Sequence, residues 1–180
     1  MFRYERELEA IKEKLGRLGV EIDFRPASPG DIGYLQGMLY PDSVVEFYAN
    51  AEPESWFEIE DLQLHSIADM WGENENTLPG DRVVPLGLLN VAGTDEGDTY
   101  CVDLNSTDGQ DDPIVRWVSR TITETMSDEQ VMDHTHVAAN TFGDFLMMFA
   151  RGELKKRPRA GRETPPPGER TTFQPRRRAA

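Results

Sequence analysis

Between Pro26 and Asp81 the chain has no lysine and no arginine. Cysteine is almost missing too: Cys101 stands alone among 180 residues, so no internal disulfide can form and nothing points to secretion. No apolar run approaches the ~20 residues that span a bilayer. The opening Met1-Phe2-Arg3-Tyr4-Glu5-Arg6 turns acidic at once and has none of the apolar stretch of a signal peptide. The expected compartment is therefore the cytoplasm. The length suits one domain, and a 38% apolar share supports a single core.

Local catalytic signatures are missing as well. There is no Gly-x-x-x-x-Gly-Lys loop, no Gly-x-Ser-x-Gly elbow and no Cys-x-x-Cys pair. Asp133-His134-Thr135-His136 alone has metal-like spacing. Zinc would need a third protein ligand, with Cys101 or His65 brought in by folding, so exposed loop histidines are the expectation. Glu58, Glu60 and Asp61 are close enough for Mg²⁺, and a solvated strand face explains them equally well. Cys101, inside Thr99-Tyr100-Cys101-Val102-Asp103, reads as a buried small apolar residue. We expect no enzyme, no cofactor and no metal.

The charge is split along the chain. Residues 1–154 hold 10 Lys/Arg against 31 Asp/Glu, a net of −21, and residues 155–180 hold 9 against 2, a net of +7. Such an acidic body repels nucleic acid and anionic membrane and steers basic partners toward itself. A merely solubilising surface is the competing explanation.

The pattern of the sequence is α+β. Leu8, Ile11, Leu15 and Leu18 recur at helical spacing, Glu13–Arg17 is an i,i+4 pair, and Gly19 is a stop. Val20 to Phe24 is a short alternating run. Ser28-Pro29-Gly30-Asp31 starts a helix with Ile32, Leu35 and Leu39 on one face, where Gly33 and Gly37 are expected to serve close packing. Pro41-Asp42-Ser43 starts another, with Val44, Phe47 and Tyr48. From Trp56 the period alternates: Phe57 and Ile59, then Leu62 and Leu64. Ser66 to Trp71 reads as one or two helical turns, and Gly72 to Asn76 as a polar loop. Strand signals return at Arg82 to Leu86, Asp98 to Leu104 and Pro113 to Val118. Thr121 to His136 carries no clear pattern. Thr141-Phe142-Gly143-Asp144 opens a last helix with Phe142, Phe145, Leu146 and Phe149 inward. Residues 155–180, rich in Pro and Arg, are expected to be a disordered tail.

Four pieces in this order carry a family resemblance. They are Leu39-Tyr40-Pro41-Asp42-Ser43-Val44-Val45-Glu46-Phe47-Tyr48; Val83-Val84-Pro85-Leu86-Gly87; Gly97 to Leu104 followed by Pro113-Ile114-Val115-Arg116-Trp117; and Ala139 to Leu146. Together they cover about residues 28–150 and resemble the SUKH superfamily, the bacterial toxin-immunity and fungal cell-wall-assembly-regulator group. A departure is Asn50-Ala51, where the family often has Asn-Gly. The resemblance implies helices packed on a mixed, mostly antiparallel sheet, over 28–154, with residues 1–27 as an added helix and connector. It also implies function by binding another protein. Asp98 and Asp103 look like the family's acidic positions, with turn and strand-end hydrogen bonding as their ordinary role.

Combined with the charge, the resemblance implies an immunity-type protein that neutralises a basic toxin domain such as a nuclease, whose phosphate-attracting cleft an acidic surface can occupy. A scaffold or regulator without a toxin partner is the alternative. The candidate partner-binding residues are Glu52, Glu54, Trp56, Glu58, Glu60, Glu73, Glu75 and Asp98. Trp56, Trp71 and Trp117 are core residues by default, with Trp56 a possible aromatic anchor among carboxylates.

Overall fold

A computed structural model describes residues 1–106 and 112–154. Capping chemistry sets several of the helices. The first, α1 (Glu5–Leu18), stops at Gly19, which takes the left-handed conformation at φ 70°. After the short strand β1 (Phe24–Arg25), Ser28 Oγ accepts from Asp31 N at 3.1 Å and opens α2 (Pro29–Gly37). Next come α3 (Asp42–Ala51) and β2 (Glu52–Pro53), which pairs with β1.

The main sheet follows. Its strands are β3 (Phe57–Ile59), β4 (Leu62–Leu64), β5 (Leu88–Thr94), β6 (Thr99–Asp103), β7 (Val115–Val118) and β8 (Thr135–Ala139), side by side in sequence order and antiparallel throughout. Glu60 and Asp61 join β3 to β4 with φ of 51° and 66°, the pair of positive values that a tight two-residue hairpin needs. Between β4 and β5 lie α4 (Ile67–Asn76), α5 (Gly80–Val83) and a 3-10 turn at Val84–Leu86. The helix α6 (Asp128–Asp133) precedes β8, and α7 (Phe142–Arg151) closes the described chain, capped by Thr141 Oγ1 on Asp144 N at 2.9 Å.

Both faces of the sheet are covered. On one, Leu89, Tyr100, Val102, Val115 and Trp117 meet Phe47 and Tyr48 of α3 and Phe142, Phe145, Leu146 and Phe149 of α7. α1 packs on α7, and Tyr4, Ile11 and Leu15 enter this same core, so residues 1–27 join the body. On the other face, Val83, Leu88, Cys101, Val118, Ile122 and Val131 form a smaller cluster. That second cover leaves every residue of β5 and β6 buried, including Cys101, whose thiol pKa burial pushes up.

Several sequence expectations are corrected. Val83 to Leu86 is helical turn instead of strand, because Val83 drops into the second core while Pro85 stays outside. Gly72 to Asn76 continues α4, where buried Asn74 anchors the last turn. Leu18 and Leu39 are 49% and 72% exposed; Leu39 sits past α2 at φ 66° and points away from Leu35. Nothing lies within 4 Å of a Cβ at Gly33 or Gly37, so close packing is not their role. The patternless Thr121–His136 holds α6 and the start of β8. The tail expected over 155–180 lies outside the described residues.

Candidate functional site

The eight candidate residues do not form one surface. Asp98 is 2% exposed, and its Oδ1 accepts from Arg120 N at 2.8 Å while its own N–H donates to Thr94 Oγ1 at 3.1 Å. Its backbone closes the β5–β6 turn on Thr94 while its carboxylate ties that turn to Arg120 beyond β7, so the side chain is buried and already engaged. Asp103 is similarly engaged: it accepts from Arg116 Nε at 2.7 Å and from Asn105 N at 2.9 Å.

Two of the exposed glutamates are locally neutralised. Arg25 Nη2 lies 2.9 Å from Glu54, and Lys14 Nζ 3.1 Å from Glu60. Glu58 is half-buried between Phe57 and Ile59 on β3. Trp56 is 52% exposed, against the core placement expected for it; Trp71 is also 52% exposed, and only Trp117 is buried.

Of the remaining carboxylates, Glu52 lies on β2 against the start of α4, and Glu73 and Glu75 lie on α4, which packs on α2. Glu52 accepts from Ile67 N, at the start of α4, at 3.2 Å. Burial pushes its carboxyl pKa up; the Ile67 hydrogen bond opposes this, the charges of Asp31 and Asp69 add to it, and Arg25 offsets it. Glu73, half-buried on α4, is raised by burial and by Asp69. Glu75 is exposed and acts electrostatically on Tyr34 of α2. Asp31 and Asp69, which sequence reasoning did not select, thus belong to the acidic face. Their signal was available: both lie in the stretch without lysine or arginine.

An aromatic pair sits on the same face. Tyr34 and Trp71 stack with ring centroids 5.2 Å apart and planes 15° from parallel. Beneath them lies a buried polar network. Asn74 Nδ2 donates to Tyr34 Oη at 3.3 Å and to Tyr40 Oη at 2.8 Å, and Asn74 Oδ1 accepts from Asn90 N at 3.0 Å. Tyr40 Oη donates to Asn90 O at 2.6 Å. The face is therefore tied to β5, at the bulge between Asn90 and Ala92.

The two histidines with metal-like spacing have separate local partners. His134 Nδ1 lies 2.7 Å from Gln130 O, His136 stacks on Trp117, and among the described residues no group of three or more His, Cys, Asp or Glu is placed to hold a metal. Among them, too, no helix is long and apolar enough to cross a membrane.

Comparison with curated proteins finds no match to the chain. The SMI1 / KNR4 family (SUKH-1) model matches residues 33–148, from α2 through most of α7, more than half of the chain. With its α+β fold and that match, the chain belongs to the SMI1/KNR4 family (SUKH-1).

Proposed function

We propose that this protein acts by binding another protein, as an immunity-type domain that neutralises a basic toxin domain in the cytoplasm, and that it is not an enzyme. The observation that carries this reading is the run of carboxylates along α2, β2 and α4: Asp31 and Asp69 act on Glu52, Asp69 acts on Glu73 and Glu75 acts on Tyr34, with Arg25 offsetting Glu52. Burial is the main reason the Glu52 and Glu73 carboxyls are raised, with neighbouring like charge adding to it, and a cationic surface that covers them offsets that cost. A nuclease cleft, which must attract phosphates, presents such a surface, and the acidic body in turn excludes nucleic acid.

The test uses the product of a neighbouring gene with a toxin-like C-terminal domain as partner. Glu73→Lys with Glu75→Lys is expected to slow association and flatten its salt dependence, since salt screens over a Debye length of ~8 Å at physiological strength. Glu54→Lys is expected to do less to that salt dependence, because Glu54 already faces Arg25. Association that ignores both salt and reversal would remove the electrostatic reading. A genome with no toxin gene nearby would favour the scaffold alternative.

A further inference from the structure

We propose that the Tyr34–Trp71 stack is the seat of an arginine side chain from the partner, so that this face selects arginine-bearing over lysine-bearing segments. The inference rests on the α2/α4 face being the docking surface, and it adds the chemistry of what docks. Trp71 lies flat against Tyr34 on one side, yet half of its surface remains in water. A large aromatic ring left in that state offers an open π-face. It is also held still. Tyr34 is held through Asn74, which is 3% exposed and itself anchored to Tyr40 and Asn90, so the platform swings away only by breaking the half-buried Asn74–Tyr34 hydrogen bond.

Each ring has a carboxylate one turn away on its own helix. Asp31 precedes Tyr34 by three residues on α2, and Glu75 follows Trp71 by four on α4, spacings that put side chains on one helical face. A guanidinium layered on the indole therefore has carboxylates on its flanks. Arginine suits this arrangement better than lysine. Its group is planar, weakly hydrated and able to stack while donating to carboxylates, whereas an ammonium keeps its water. Charge complementarity over a stretch without lysine or arginine argues for a cationic occupant, and the stacked rings argue for a flat one.

Calorimetric titration of the full chain with hexa-arginine and with hexalysine, at low and physiological salt, tests this. Hexa-arginine is expected to bind more tightly, and Trp71→Ala to remove about a 2- to 5-fold share of that preference, the range of an exposed cation–π contact. Trp71→Phe is expected to restore part of it. Asp31→Asn and Glu75→Gln are expected to weaken both peptides. A folded Trp71→Ala protein, verified by an unchanged melting temperature, that keeps the full arginine preference overturns the arginine seat. If Glu75→Gln still weakens both peptides in that case, the acidic docking surface stands. If neither peptide responds to Asp31→Asn or Glu75→Gln, both readings fail. Peptide binding that appears only after Arg176, Arg177 and Arg178 are changed to serine would assign the seat to the chain's own tail. Self-association lost in Trp71→Ala would assign it to a second copy. Either result overturns the proposal.

Discussion

Nδ1 of His65 lies 2.7 Å from Oδ1 of Asn90, and both residues are buried beside the bulge in β5. Asn90 Nδ2 donates to Ala92 O at 3.1 Å and to Thr99 Oγ1, which leaves Oδ1 as the acceptor and assigns the His65 proton to Nδ1. Tyr48 Oη donates to the His65 carbonyl at 2.9 Å. One asparagine thus ties α4, the end of β4 and β6 to the same point of β5.

This pairing makes stability depend on pH. Burial lowers the His65 pKa from its ordinary 6.5, with the Asn90 hydrogen bond and the Asp69 charge opposing. The unfolded chain therefore takes up a proton near pH 6.5 that the native protein takes up only at lower pH. The His65 contribution is intact above about 6.5 and is lost as pH falls from there toward the depressed native value. Its slope is at most about 1.4 kcal/mol per pH unit. Glu52 and Glu73, raised by burial, act in the opposite sense: in the native state they protonate before the unfolded chain does, restoring stability as pH approaches 4.5. Urea midpoints between pH 7 and 5.5 are expected to fall less steeply in His65→Gln than in the parent. Equal slopes would show that His65 is not the group responsible.

Asn74→Ala is expected to destabilise by about 1–3 kcal/mol, because it leaves Asn90 N buried without an acceptor. The same change frees Tyr34, so Trp71 emission should shift before global unfolding. Chemical denaturation followed by both tryptophan fluorescence and circular dichroism checks the two effects together.

Two glycines should respond in opposite directions. At Gly80 a Cβ would run into the Glu73 backbone carbonyl of α4, so Gly80→Ala is expected to cost about 1–3 kcal/mol. At Gly33, inside α2, a Cβ meets nothing within 4 Å, and Gly33→Ala is expected to stabilise by about 0.5–1 kcal/mol. Melting temperatures of the two variants decide the matter directly.

Arg116→Ala leaves the Asp103 carboxylate, 5% exposed, with only its Asn105 contacts, and is expected to lower stability by about 3 kcal/mol. Partner association should be unaffected at equal folded concentration. A selective loss of binding with unchanged melting temperature would instead place Asp103 or Arg116 at the interface.

Much of the helical framework was legible in local sequence. Ser28 and Thr141 cap where their sequence context says they should, Gly19 ends α1, and the Phe142, Phe145, Leu146 and Phe149 stripe is buried as its spacing implies. The hairpin from Phe57 to Leu64 follows from alternation alone. These features depend on contacts within a few residues, which a linear reading contains.

What docks against what was settled elsewhere in the chain. Val83–Leu86, rich in β-branched and apolar residues, turns helically because a second core under Cys101 and Val118 needs Val83 and because α4 crowds Gly80. The strand β8 was hidden because its pairing partner is β7 and three of its five residues are not buried. Among the carboxylates, sequence composition determined only that a cationless stretch exists. Tertiary structure decided which of them meet: Arg25 and Lys14 neutralise Glu54 and Glu60, the Arg120 N–H takes up Asp98, Glu52 of β2 comes under the charges of Asp31 and Asp69, and Glu75 comes near the Tyr34 that stacks on Trp71. Charge adds up along a sequence, whereas the field at a surface depends on distances between side chains that only the packed fold establishes.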